Sequence, residues 1–286
     1  MTRTTLQDLA KAVRMAGRHI TLGFRQVGNH VTIKPDGSPV TSVDMSVHQE
    51  LLEWSQRMNL GFVGEEGNGD TDKEFILYVD PLDGTSSFTA GIPTVAIAGS
   101  IMQRCADGRY SPIMSVIHEP LTGYSWVAEA GKQTLIVRGP GQDADSCKVE
   151  SNPKQSLVTT IFPPGPLRTM RMLREMIHTD MGPEMKHQSC GSLALCGGLV
   201  ASGMSHGLMF GGGSAAETCA MLSIVHGAGA VTSDLSGTEI ESFELGVHKD
   251  KVDFLLPDGL IIASSEALWR DLRTLAEQAR ADQAAA

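Results

Sequence analysis

The chain of 286 residues can bury a sizeable core, as one large domain or as two fused lobes, and its 41% apolar and 20% charged residues are ordinary for a globular protein. A net charge of -10 with no basic block argues against a general polyanion binder, whose affinity would rest on clustered Lys and Arg. If this protein handles phosphate, something other than surface basicity must neutralise it, and a metal ion is the obvious candidate.

In chain order, "MTRTTLQDLAKAVRMAGRHI" places Leu6, Leu9, Val13 and Ala16 at helical spacing, which predicts an amphipathic surface helix. Its scattered charges suit neither a signal peptide nor a membrane span, so a cytoplasmic protein is expected. A turn-rich stretch around Pro35-Asp36-Gly37 leads to a second helix with Val47, Leu51, Trp54 and Met58 on one face. Five short strands follow, "FILYVD", "TVAIAGSIM", "PIMSVIHEP", "YSWVAEA" and "TLIVRG", expected to form a mainly antiparallel sheet flanked by helices. The polar run "GPGQDADSCKVESNPKQ" marks a lobe boundary, dividing the chain into residues 1–145 and 146–286. Beyond it, "LVTTIFPP", "HGLMF" and "DGLIIAS" read as strands. "LRTMRMLREMI", "GSLALCGGLVASG" and "AETCAMLSIVHGAG" read as helices, the second rich in small residues and so closely packed. That alternation predicts a parallel or mixed sheet, and "ARADQAAA" a fraying helix end.

The five cysteines are odd in number and lack CxxC spacing, which suits neither a disulfide framework nor a zinc site; partly buried thiols in a reducing compartment are expected. His118, His187, His206 and His226 show no HxH or HExxH spacing and read as surface or packing residues.

Four acidic stations carry the candidate chemistry: Asp44 after "VTS", Glu65-Glu66 in "GFVGEEG", Asp80 and Asp83 in "YVDPLDGT", and Glu217 in "SAAETCA". Carboxylate and carbonyl oxygens are the ligands of hard divalent cations such as magnesium. Asp80 at a strand end, the Leu82 carbonyl and Asp83 after a proline bend could face one point, and Glu65 also ends a short apolar run. The spacing alone leaves an alternative open, because D-P-x-D-G is a comfortable turn and E-E beside glycine a common loop. Thr85 likewise has two readings, a helix cap or a hydroxyl that orients a metal-bound water.

"GEE", "DPLDGT" and the helix ending "IVHGAGA", together with "KPDGSPVTSVD", "GSLALCGGLVASG", "AEAGK" and "DGLIIAS", resemble the inositol monophosphatase superfamily of magnesium-dependent, often lithium-sensitive phosphatases, over nearly the whole chain and in order. The resemblance implies a layered α/β/α/β/α sandwich, an α+β to α/β fold of the inositol monophosphatase and fructose-1,6-bisphosphatase type, commonly a homodimer. It implies two or three magnesium ions per active site, held by Glu65, Asp80, the Leu82 carbonyl, Asp83 and Glu217. Thr85 with Glu65 would position the attacking water, Gly84 and Thr85 amides would meet phosphate, and Gly191 and Ser192 would lie beside the leaving portion. Asp44 and Lys34 would support these groups. In two-metal phosphoryl transfer, ions about 3.5–4 Å apart polarise the phosphoryl oxygens and activate water.

Two departures qualify the match. The family's third metal segment reads Trp-Asp-x-Ala-[AG], and here it is Ala216-Glu217-Thr218-Cys219-Ala220; Ser214-x-x-Glu217 is also a helix capping box, so ligand and cap both stand. Phe210 occupies the place of a glutamate that binds inositol hydroxyls, pointing either to a flatter leaving group or to a core residue. Gly211-Gly212-Gly213 lacks the Lys-[ST] of a phosphate-binding loop and reads as a flexible connection. The expected activity is release of phosphate from a small phosphorylated metabolite, with an inositol monophosphate as default. 3'-Phosphoadenosine 5'-phosphate is the alternative, since "SPVTSVD" resembles that branch although "DGTSSFTAGIP" lacks its Lys-Glu-Phe. A catalytically weak relative that binds a phosphorylated ligand or partner protein is the rival from another class. Neither a nucleic-acid polymer nor a membrane is expected as a partner.

Overall fold

The computed structural model describes residues 4–26, 31–34, 39–139, 142–151, 156–161, 185–188, 190–211, 215–248, 251–255 and 259–284. The first helix, α1 (Leu6–Gly23), opens with a capping box in which Thr5 and Asp8 satisfy each other's backbone amides, and it buries Leu9, Val13, Ala16 and Ile20. A small hairpin, β1 (Val31–Ile33) and β2 (Pro39–Thr41), brackets the expected turn, whose centre at 35–38 lies outside the described residues. Helix α2 (Ser42–Arg57) follows at once, capped by Thr41.

An eight-stranded sheet comes next: β3 (Gly61–Gly64), β4 (Gly67–Asn68), β5 (Phe75–Asp83), β6 (Ala96–Arg104), β7 (Tyr110–Glu119), β8 (Tyr124–Glu129), β9 (Leu135–Val137) and β10 (Ala144–Ser146). It is antiparallel except where β3 runs parallel to β5. A short helix, α3 (Thr85–Thr89), interrupts the chain between β5 and β6.

The second half builds a five-stranded sheet from β11 (Ser156–Ile161), β12 (Met185–Gln188), β13 (Gly207–Phe210), β14 (Val231–Ser233) and β17 (Leu260–Ala263). It is mixed, as the alternation of strands and helices predicts: β11 runs parallel to β12 and β13, while β17 is antiparallel to β13 and β14. Its helices are α4 (Leu193–Ala201), α5 (Ala215–Gly227) and α6 (Glu266–Ala284), and a further hairpin joins β15 (Leu245–His248) to β16 (Lys251–Phe254). The helix expected over "LRTMRMLREMI" lies outside the described residues. No helix among the described residues is long and apolar enough to cross a membrane.

The layers are α1 with α2, the large sheet, α4 with α5, the small sheet, and α6. This is the expected five-layer α/β sandwich. Helices α4 and α5 lie between two sheets, so they need apolar surface on most faces, and "LALCGGLVA" and "AAETCAMLSIVHG" supply it, with Glu217 the buried charged exception. Their core runs without a break from Ile76, Tyr78 and Trp126 of the large sheet to Leu208, Leu260 and Ile262 of the small one.

Small residues in α4 are what permit this approach. A Cβ added to Gly198 would lie 2.7 Å from the Trp126 ring, itself held by a 2.6 Å hydrogen bond from its Nε1 to Ser202 Oγ. Replacing a mid-helix glycine with alanine normally stabilises a helix by about 1 kcal/mol. Here the overpacking should win: Gly198→Ala is expected to destabilise by about 1–3 kcal/mol in chemical denaturation. A more stable variant would show that Trp126 has room to move.

Candidate active site

The site lies where β3 and β5 end and several helices begin. Residues three apart on a regular strand face opposite sides. Strand β5 escapes this, because Asp80 pairs with Ala98 and Asp83 with Ala96, three steps on β5 against two on β6. The extra residue is a β-bulge in the Pro81-Leu82 segment, and it turns Asp83 to the side that Asp80 faces. The Leu82 amide donates to Asp80 Oδ1 at 2.9 Å, which pins the bend.

Helix α5 brings the third carboxylate. Glu217 is buried on the first turn of that helix, and oxygens of Asp80, Asp83 and Glu217 all lie within 4.8 Å of one another. Burial pushes the Asp80 carboxyl well above the usual carboxylate range, and the charges of Glu65, Glu217 and Asp83 push it further. Burial also raises Asp83, to about 6, against hydrogen bonds from Ser192 and the Ala194 and Leu193 amides. Three crowded carboxylates form a hard, all-oxygen donor set whose ionisation is costly until a cation joins it. That chemistry fits magnesium. It also brings Glu217 into the cluster as a carboxylate; the cap partner weighed for it, Ser214, lies outside the described residues.

Helix α4 positions Asp83 from the other side. Its N-cap residue, Ser192, donates from Oγ to Asp83 Oδ2 at 2.6 Å, and the Ala194 amide donates to the same oxygen at 2.7 Å. Ser192 Oγ also accepts from the Leu195 amide at 3.2 Å. Gly191 borders the next element: a Cβ added to Gly84 would lie 3.0 Å from the Gly191 carbonyl and 2.6 Å from that of Thr94. With φ of 90° as well, Gly84 is a position only glycine fills comfortably, and it serves as the N-cap of α3.

Thr85 is therefore not the cap. Its hydroxyl reaches Asp44 Oδ1 at 3.0 Å and the Leu82 carbonyl at 2.9 Å, and its single proton serves one of these at a time. Asp44 is held in turn by α2, where its Oδ2 accepts from the Thr41 amide at 2.8 Å and from the Thr41 hydroxyl. Burial raises Asp44, and these hydrogen bonds oppose the rise.

Glu65 follows β3, its amide bonded to the Val79 carbonyl at 3.1 Å. Its carboxylate pairs with Lys34 Nζ at 2.7 Å, and the same ammonium meets Glu66 at 2.6 Å. Burial draws the Lys34 ammonium down, but Glu65 and Glu66 hold it above its ordinary value. Glu65 thus stands next to the triad, close enough to raise Asp80, with its carboxylate turned toward Lys34.

Phe210 stands apart. It ends β13, is 3% exposed and packs within the shared core, which is the second of the two readings its position allowed. His118 is also a packing residue, with Nδ1 3.0 Å from the Tyr124 carbonyl and 2.9 Å from Ser125 Oγ, and burial lowers it to about 4. All five cysteines are free thiols. Sequence reasoning passed over Lys251, whose Nζ donates to the Glu65 carbonyl at 2.9 Å from 186 positions away, and Asp253, which accepts from the Tyr78 hydroxyl at 2.5 Å. No motif flags either residue.

The model of the inositol monophosphatase family matches residues 3–284. This chain belongs to the inositol monophosphatase family. With the buried triad, membership makes it a magnesium-dependent phosphomonoesterase. An inositol-1-monophosphatase of Mesorhizobium japonicum is 26% identical over 95% of the chain and 96% of its own length. The 3'(2'),5'-bisphosphate nucleotidase CysQ of Aggregatibacter actinomycetemcomitans is also 26% identical, over 71% of the chain and 74% of its own. Among solved structures, the IMPase of Thermotoga maritima superposes with a TM-score of 0.77 at 18% identity, covering 97% of this chain and 98% of that one. That likeness speaks to the fold.

The crowding predicts a pH signature. The folded-state value of Asp83, about 6, exceeds an unfolded value of about 3.9. The native state therefore keeps a proton the unfolded state has released, and the metal-free chain loses stability as pH rises through that window. Magnesium competes with that proton, so its stabilising shift in Tm should grow from pH 5 to pH 7.5. Glu217→Gln should raise the metal-free Tm while shrinking the shift. A shift independent of pH, or a variant with unaltered magnesium response, would remove the triad from metal binding.

Proposed function

We propose that the substrate is an inositol monophosphate, hydrolysed with Glu65, Asp80, the Leu82 carbonyl, Asp83 and Glu217 as the metal ligands. The observation that carries the substrate is the match, over 95% of the chain, to a relative named as an inositol-1-monophosphatase. Bound magnesium supplies Lewis-acid polarisation of the phosphoryl oxygens and lowers the pKa of bound water.

The chain's own groups do the rest. Asp44, gripped by Thr41, accepts a hydrogen bond from the Thr85 hydroxyl, which leaves the Thr85 oxygen free to accept a hydrogen bond from the attacking water. Glu65 is the second group to hold that water, once its carboxylate turns from Lys34. The Gly84 and Thr85 amides are assigned to a phosphoryl oxygen, at the start of α3. Gly191 and Ser192, beside α4, border the leaving portion. Dimerisation accompanies this reading through the family resemblance, and a cytoplasmic setting through the N-terminal sequence.

The CysQ match supports the second reading, a 3'-phosphoadenosine 5'-phosphate nucleotidase. The burial of Phe210 withdraws one argument for it, since an aromatic ring inside the core gives a flat leaving group nothing to stack on. Phosphate release should be measured with magnesium on inositol-1-phosphate, 3'-phosphoadenosine 5'-phosphate, fructose-1,6-bisphosphate and histidinol phosphate. The highest kcat/KM is expected on inositol-1-phosphate; a higher value on the nucleotide makes the chain a nucleotidase.

Thr85→Ala tests the water-positioning role. It should lower kcat by about 10²-fold with KM little changed, as for loss of a group that takes part in proton transfer. Preserved turnover, with only stability reduced, would confine Thr85 to bracing the bend.

A further inference from the structure

The hairpin strand β16 grips the site's scaffold with four consecutive residues. Phe254 is buried with its ring 4.8 Å from that of Tyr78 and 5.3 Å from that of Tyr110. Asp253 Oδ1 accepts from the hydroxyl of Tyr78, two residues before Asp80, at 2.5 Å. The Val252 carbonyl accepts from Asn68 Nδ2 at 2.6 Å, and Asn68 Oδ1 accepts from the Gly64 amide at 3.3 Å. Lys251 Nζ closes the series on the Glu65 carbonyl. Apart from the Phe254 contact with Tyr110 on β7, each contact lands on β3, β4 or β5 or on the Glu65 carbonyl just past β3, the stretch that carries Glu65 and Asp80.

Among the described residues, the Glu65 peptide is held at its amide as well as by Lys251. Its amide donates to the Val79 carbonyl at 3.1 Å, and its carboxylate pairs with Lys34 at 2.7 Å. From below, the His48 ring underlies the same turn: a Cβ on Gly64 would meet His48 Cε1 at 3.1 Å. Lys251 approaches from the exposed side. We propose that Lys251 is a positioning residue for Glu65, with strand Lys251–Phe254 clamping the GEE turn so that the Glu65 carboxylate is aimed at the metal cluster. This inference rests on the reading of Glu65 as a metal ligand.

The sign of the effect separates positioning from plain electrostatics. A lysine beside a cation site repels the cation, so removing its charge alone would tighten magnesium binding. Loss of a group that orients a ligand weakens it, by about 10- to 100-fold where such partners have been removed. Magnesium binding to the full chain without substrate should be measured by calorimetry for Lys251→Met, Lys251→Arg and Glu65→Gln, with Tm in chelator as the folding control. Lys251→Met is expected to bind about tenfold more weakly at unchanged metal-free Tm, and Lys251→Arg to bind close to wild type. Unchanged or tighter binding by Lys251→Met, beside weakened binding by Glu65→Gln, overturns the positioning role alone. An arginine variant as weak as the methionine one overturns it too. If Glu65→Gln binds as tightly as wild type, the ligand reading itself fails and takes the inference with it.

Discussion

Repulsion among buried carboxylates governs this molecule. Asp80, Asp83 and Glu217 are drawn from two elements into a space where their oxygens lie within 4.8 Å of one another, and burial raises the first two above the usual carboxylate range. Such an arrangement opposes folding unless protons or a cation relieve it. The surrounding structure holds it regardless: the bulge in β5 sets the aspartates on one side, and the packing of α5 between two sheets delivers the glutamate.

Helix starts do most of the positioning. Asp44 is the third residue of α2, Thr85 the first of α3, Ser192 the N-cap of α4 and Glu217 the third of α5. The unpaired amides at a helix start favour negative charge, so converging starts offset part of the carboxylate crowding. Asp83 takes this directly, through the Ala194 amide. The capping side chains then carry two duties: one oxygen of Asp44 closes the cap of α2 while the other receives the Thr85 hydroxyl.

Much of the fold could be read from periodicity. The apolar stripe of α1, the strands from "FILYVD" to "YSWVAEA" and the largely apolar helices α4 and α5 follow from local pattern, since each pattern matches the burial the element meets. The hairpins β1–β2 and β15–β16 were not legible. Val31, Thr32, Ile33 and Val247 lie exposed, so no alternation of burial shaped those residues. Strand β5 runs further than its apolar run, because the bulge lets pairing with β6 continue through Pro81 and Leu82 to Asp83.

The sequence by itself determined the inventory: the GEE and DPLDGT motifs, a glutamate in the third acidic segment, an aromatic at position 210 and a lysine at 34. It determined the family as well, because those motifs occur in order along nearly the whole chain. Only the tertiary structure decided which distant groups meet. Glu217 joins the cluster across more than a hundred positions, Phe210 turns into the core, Gly84 takes the cap and leaves the Thr85 hydroxyl to Asp44, and Lys251 reaches the Glu65 carbonyl from a strand without a motif. The reason is physical. Local pattern records whether a side chain meets water or apolar surface, whereas the direction of a carboxylate and the identity of its neighbours depend on bulges, crossovers and layer packing that join distant parts of the chain.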